Sequence, residues 1–262
     1  MKRRKKLVKI GLALGSGAAR GLAHIGVLKV LERNNIPIDY IAGSSIGAVV
    51  GAMYSVTRNV NQLEKIVLSA DWKLFLSLLD PVLSQGLLRG QKIRKFIKDF
   101  LGDAEFKDLK IPTTIVATDL QSGETKLLDK GDLCEAIMAS CAIPLVFQPV
   151  KIDGTVLVDG GLSAPLAIQP LQKMGADKII AVNLDGDFFT KKKEKFTIGE
   201  MAWQTINLLR YNLARRDAEA ADVVIVPEVG DIWGHEFLNG EKAIAAGEKA
   251  AQKVLPEIKK LI

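Results

Sequence analysis

The sequence predicts a single α/β domain of three layers, α/β/α, with a mostly parallel central sheet covered by helices on both faces. Three observations carry that prediction. Short apolar runs of strand length alternate with stretches of helical periodicity along the whole chain, the pattern of parallel strands joined by crossover helices. Two of the strand-to-helix junctions are glycine-rich turns, Gly15-Ser16-Gly17-Ala18-Ala19-Arg20-Gly21 and Gly43-Ser44-Ser45-Ile46-Gly47. The length, 262 residues, suits one large α/β domain and is short for two.

Leu7 to Leu14 (LVKIGLAL) is the first strand, and it enters the first glycine-rich turn ahead of a helix with Leu22, Ile25, Leu28 and Leu31 at i, i+3 spacing. A loop containing Pro37 follows. The apolar run from Tyr40 then turns through GSSIG into Ile46 to Tyr54, a helix apolar nearly all round and therefore expected to be buried. Arg58 to Gly102 is helical in pattern, with Asn59 as a cap and Leu63, Ile66 and Val67 facing inward. Within it, Trp72 to Leu79 is apolar enough for a core helix, an acyl-chain pocket or a membrane contact. Gln91 to Leu101 interleaves Ile93, Phe96, Ile97 and Phe100 with Lys92, Arg94, Lys95 and Lys98, a basic amphipathic helix suited to solvent or to anionic lipid.

Ile111 to Leu120 and Glu124 to Leu128 read as neighbouring extended pieces, and Leu133 to Ser140 as a short helix ending before Pro144. Val150 to Val158 alternates around Asp153-Gly154, a hairpin signal that makes Asp153 a turn residue. Then come a helix at Ile168 to Met174, a strand at Lys178 to Asn183, a helix over Ile198 to Arg215, a strand at Val223 to Val226 and a closing helix over Asn239 to Val254. Lys191 to Lys195 reads as an exposed loop.

The net charge of +6 is mostly local, because Lys2, Arg3, Arg4, Lys5 and Lys6 supply five of the six charges. Residues 1–6 are expected to be a solvated, disordered tail and residues 7–262 the domain. A nucleic-acid interface is not indicated. The apolar run after the tail is broken by Lys9 and leads straight into the glycine-rich turn, so it is not read as an export signal. Tyr40 to Thr57 just reaches the ~18 residues that span a bilayer, but the polar GSSIG turn interrupts it. Cys134 and Cys141 lie in one helical pattern with Cα atoms ~10 Å apart, beyond disulfide reach. They are expected to be buried thiols in a reducing, cytoplasmic setting.

The chemistry centres on Ser45. In a G-x-S-x-G elbow the central serine sits at the apex of a cramped turn, flanked here by Gly43 and Gly47, and the following helix presents its positive end to a developing nucleophile. The earlier glycine-rich turn departs from a dinucleotide fingerprint, since its third glycine is one place late and Asp39 precedes the next strand. An anion hole made of backbone N–H groups is the favoured reading. A serine hydroxyl needs a base. Of the two histidines, His24 lies on the helix after the glycine-rich turn, where a neutral, hydrogen-bonded structural role is the commoner fate, and His235 lies in a loop with no acid placed to orient it. That leaves a carboxylate acting directly, and Asp159, in Asp159-Gly160-Gly161 at the far end of the hairpin, has the best local context.

GSGAARG, GSSIG and DGG, in that order, resemble the motifs of the patatin-like phospholipase family, and more closely those of its short bacterial members. The likeness spans about Leu7 to Leu184, including the run from Arg20 to Leu28. It implies a Ser/Asp dyad of Ser45 and Asp159 followed by Gly160 and Gly161, an oxyanion hole over Gly15, Ser16, Gly17, Ala18, Arg20 and Gly21, and hydrolysis of acyl esters of glycerolipids or lysophospholipids. It implies no metal and no cofactor. The expected partners are a lipid or other acyl ester and, peripherally, an anionic membrane at its inner face; nothing in the sequence speaks to oligomeric state. One departure stands out: Ser16 and Ala18 interrupt the family's glycine run, and neither takes a left-handed conformation as cheaply as glycine. An acyltransferase with the same serine, or a non-catalytic lipid- or protein-binding regulator, are the alternatives.

Overall fold

The computed structural model describes residues 7–69, 90–186, 195–229 and 240–262. Residues 1–6, Trp72 to Leu79, His235 and all but the last residue of Lys191 to Lys195 lie outside them.

The chain runs β1 (Ile10–Leu14), α1 (Ala23–Arg33), β2 (Tyr40–Ser44), α2 (Ile46–Thr57), α3 (Val60–Ser69), α4 (Gln91–Leu101), β3 (Thr113–Asp119) and β4 (Thr125–Leu128). It continues through α5 (Leu133–Ser140), β5 (Val150–Ile152), β6 (Thr155–Asp159), α6 (Ile168–Met174), β7 (Lys178–Val182), α7 (Ile198–Ala218), β8 (Val223–Ile225) and α8 (Gly240–Lys259). The sheet order is β5-β6-β3-β2-β1-β7-β8, with β4 also on β3. The segment from β3 through β2, β1 and β7 to β8 is parallel, while β4, β5 and β6 join antiparallel at the β3 side.

The strand pleat explains the layering. Alternate residues of β1 point to opposite faces, so Ile10, Leu12 and Leu14 pack with residues of α1, α2 and α8, while Ala13 joins Ala42, Ala181, Ile168 and Leu171 on the other side. The small residues on that second face let α6 approach closely.

Several boundaries differ from the sequence reading by a few residues, and two of them have a clear cause. The first strand begins at Ile10 and not Leu7, because Leu7 is 84% exposed and only from Ile10 is the run buried. The closing helix continues through Pro256 to Lys259, since the fully buried Ile258 holds the last turn on the core. Among the described residues no helix is long and apolar enough to cross a membrane.

Helices α1 and α8 meet backbone to backbone. A Cβ on Gly26 would lie 1.9 Å from the carbonyl oxygen of Ile244, and one on Gly247 would lie 2.0 Å from that of Ala23. Neither contact can yield by a side-chain rotation, so either glycine replaced by alanine forces the helices apart. Gly26→Ala and Gly247→Ala should each cost about 1–3 kcal/mol, as overpacking does, read as a lower urea midpoint. The double variant should cost less than the sum, because the first substitution has already opened the contact.

Candidate active site

The register of β3 brings two distant parts of the chain together. β2 pairs with β3 as far as Ser44 opposite Val116, and β6 arrives antiparallel, ending with Asp159 opposite Ala117. The two strand ends therefore meet at consecutive positions of β3. Ser45 and Asp159 are the residues at that junction, and Ser45 Oγ donates to Asp159 Oδ2 at 2.7 Å. Gly160 makes the meeting possible, since a Cβ there would lie 2.1 Å from Val116 O and 2.9 Å from Ser44 Oγ.

Ser45 has φ +55° and ψ −123°, outside the regions that L-residues favour. Such a conformation costs on the order of 1–3 kcal/mol and persists only where the surroundings enforce it. Ser140 is one such support: its Oγ accepts from the Ser45 N–H at 2.8 Å and donates to Val116 O at 2.6 Å. Two residues on, Ala142 O accepts the Asp159 N–H at 3.0 Å. The end of α5 thus holds both members of the pair. Between them is Cys141, half-buried rather than buried as expected, with its thiol against Ser45 and Asp159; burial and the Asp159 charge push it up. Cys134 is buried, and both cysteines are free.

Asp159 is 6% exposed. Its Oδ1 accepts from the Gly161 N–H at 2.7 Å, and its carbonyl accepts from Thr118 Oγ1 at 2.8 Å. Burial raises its carboxyl pKa above the ordinary aspartate value, opposed by the hydrogen bonds from Ser45 and Gly161 and by the Arg210 charge. The carboxylate is thus oriented through Oδ1 while Oδ2 accepts the Ser45 hydroxyl.

The first glycine-rich turn divides into two halves. The N–H groups of Gly15 and Ser16 donate to Val182 O and Pro165 O at 3.1 and 2.9 Å, which fixes the loop to neighbouring chain and occupies those donors. Among the described residues no acceptor is assigned to the N–H of Gly17 or of Ala18, the latter being the first residue of a short 3-10 turn (Ala18–Leu22) and so without an acceptor inside it. Ala18 takes φ +50°, the left-handed conformation that glycine would adopt without strain. Ser16 Oγ and Ser44 Oγ are buried with no partner among the described residues. Gly21 serves packing, because a Cβ there would collide with the Ile46 side chain at 2.1 Å; Gly43 and Gly47 likewise admit backbone, Gly47 facing Leu14 O at 2.0 Å.

Arg20 points away from the loop's donors into a buried ion network. Its Nη2 donates to Asp185 Oδ1 at 2.9 Å, Nη1 to Leu184 O at 2.8 Å and Nε to Gly17 O at 3.2 Å. Arg210, from α7, closes the same carboxylate through Nη2 and Nε at 2.9 and 3.1 Å. By holding Gly17 O, Arg20 orients the planar peptide whose other edge carries the Ala18 N–H. His24 is wholly buried, and burial lowers its pKa to about 4. Its Nε2 donates to Gly15 O at 2.8 Å and no hydrogen bond joins it to Ser45, so it braces the loop as a neutral group. Sequence reasoning missed Ser140, Asp185 and Arg210: each is unremarkable among its neighbours in sequence and acquires its contacts only through the fold.

The patatin-like phospholipase family model matches residues 12–171, a stretch that contains the turn, the elbow and Asp159. The chain belongs to that family. It is 44% identical over 179 residues to an uncharacterised NTE-family protein of Mycobacterium bovis, a match covering 68% of this chain and 49% of that one. It is 35% identical over 185 residues to neuropathy target esterase of Drosophila melanogaster, covering 67% of this chain and 13% of the fly protein. A lysophospholipase of Candida albicans is 31% identical over 181 residues, with the same shares, 67% and 13%. The chain thus spans about half the length of the mycobacterial relative and a small part of the others. Among solved structures, VipD from Legionella pneumophila superposes with a TM-score of 0.64 at 12% identity, covering 96% of this chain and 67% of VipD. The type III effector ExoU gives 0.51 at 16% identity, covering 97% and 53%. These likenesses show a shared mixed α/β fold, a central sheet flanked by helices.

In this patatin-like chain, Ser140→Ala should leave the buried Ser45 N–H without an acceptor, costing about 1–3 kcal/mol. Denaturant unfolding should read that loss, and the strained elbow should lose reactivity with it; unchanged stability and reactivity would show that Ser140 does not support Ser45.

Proposed function

We propose that this chain hydrolyses carboxylic esters of lipids, in the manner of a phospholipase or lysophospholipase, through a Ser45/Asp159 dyad and an acyl-enzyme. The observation that carries the reading is the 2.7 Å bond from Ser45 Oγ to Asp159 Oδ2 at a nearly buried junction. The family membership and the names of the Drosophila and Candida relatives, an esterase and a lysophospholipase, support the substrate class.

In the proposed reaction Asp159 takes the hydroxyl proton as Ser45 Oγ bonds to the ester carbonyl carbon. The oxyanion accepts from the N–H groups of Gly17 and Ala18, which lie in a loop held by His24 and Arg20. Collapse of the tetrahedral species expels the alcohol, protonated from Asp159. Water then attacks the acyl-enzyme, gives its proton to the same carboxylate, and the fatty acid leaves as Ser45 recovers its hydrogen. Burial of Asp159 serves this chemistry, because a carboxylate with a raised pKa is a better base than one in water. Cationic Lys92, Lys95 and Lys98 on α4 support presentation of the substrate from an anionic lipid surface.

A fluorophosphonate should add once, at Ser45, as read by intact mass and peptide mapping. Ser45→Ala should abolish the adduct, and Asp159→Asn should slow its formation by about two to four powers of ten. An unlabelled folded protein, or unimpaired labelling of Asp159→Asn, would reject the dyad.

The same carboxylate sets a pH dependence. Activity requires ionised Asp159, so kcat/KM on a water-soluble ester should fall as pH drops through its pKa. That acid limb should lie above the ordinary aspartate value of 3.8. A limb at or below 3.8 would mean that a different group titrates.

A further inference from the structure

A cavity of 430 Å³ opens beside the nucleophile, between the start of α4, the end of α5 and the segment entering β5. That volume lies within the range of small-molecule sites. Cys141 forms part of its wall, and the Cys141 thiol lies against Ser45, so a ligand in the cavity is one side chain away from the reacting oxygen.

The polar groups of the wall are biased toward an anion. Arg94 uses Nη1 for Glu135, and among the described residues its remaining guanidinium donors have no side-chain acceptor assigned, although the side chain is only 28% exposed. Lys151, on β5, has no ion-pair partner among the described residues. Gln91 and Gln148 add side-chain amides. Helix α4 also begins here, and its N-cap, Gly90, offers no side chain to the first N–H groups, so that among the described residues no cap compensates the positive end of the helix. Arg94, Lys151 and Glu135 together leave one excess positive charge. An acyl chain laid along this wall would strip water from these groups and return no hydrogen bond.

We propose that this cavity binds the phosphodiester of a lipid head group, with Arg94 and Lys151 as its anion ligands and Glu135 limiting their strength. The proposal rests on the ester-hydrolase reading and adds to it the residues that select a glycerol bearing a singly charged phosphodiester over a neutral glycerol. The head group then occupies the cavity while the ester carbonyl faces Ser45.

The test uses two ether lipids without a scissile ester, an alkyl lysophosphatidylglycerol and the alkylglycerol of the same chain length, each titrated calorimetrically in neutral detergent micelles. The native chain should bind the phosphate-bearing lipid at least about tenfold more tightly, and Arg94→Gln or Lys151→Gln should each reduce that preference by about three- to tenfold. Glu135→Gln should increase it. Lys151→Gln, on an exposed strand position, keeps the test valid if Arg94→Gln does not fold. Equal affinity for the two lipids, or variants that leave the preference unchanged, would overturn the proposal. So would displacement of the phospholipid by inorganic phosphate at the same concentration, which would assign the site to a soluble anion. Since neither lipid can be cleaved, a failure of Ser45 to react with fluorophosphonate would sink the hydrolase reading without deciding this result.

Discussion

The hydrogen bond between Ser45 and Asp159 is possible only because two strands end against the same stretch of a third. β2 stops at Ser44 and β6 at Asp159, on adjacent positions of β3. In a sheet a shift of one residue reverses the face of every side chain, so a register slip of β6 would carry the carboxylate away from the serine. The packing at Gly160, where a Cβ would strike Val116 O at 2.1 Å, enforces that register locally. Much of the surrounding architecture can be understood as the support this junction requires.

That support is polar and buried, which makes it exacting. Ser45 is held in a strained conformation by Ser140, and Asp159 by Ala142, Gly161 and Thr118. Behind the glycine-rich loop, Arg20, Asp185 and Arg210 form a network with side-chain exposures of 6%, 2% and 12%. Ion networks of this kind contribute little net stability over an apolar core, yet removing one member strands a buried charge. Its value here is positional. Arg20 holds Gly17 O, His24 holds Gly15 O, and the loop between keeps Ala18 in a left-handed conformation without a glycine. The departure from a glycine run is thus accommodated by bracing.

The segment matched by the family model does not contain all of this bracing. Residues 12–171 carry the turn, the serine and the aspartate. Asp185 and Arg210 lie beyond it, and so does α8, whose backbone meets that of α1 at Gly26 and Gly247. The C-terminal part of the chain therefore completes both the core and the charge balance behind the site.

The alternation of apolar runs and helical periods was enough to place most elements to within a few residues, because burial on both faces of a parallel sheet imposes a local composition. The elbow and the glycine-rich turn were legible for a related reason: tight turns and close backbone approaches demand small residues at fixed spacing. Asp159 was visible only as a carboxylate in a loop with no strand after it, and its partnership with Ser45 came from resemblance and from the lack of a well-placed histidine. Sequence spacing carries no information about which strand ends meet. The roles of Ser140, Asp185, Arg210 and the cavity beside Cys141 were therefore decided by tertiary structure alone, since hydrogen bonds and ion pairs between residues far apart in the chain depend on strand order and register.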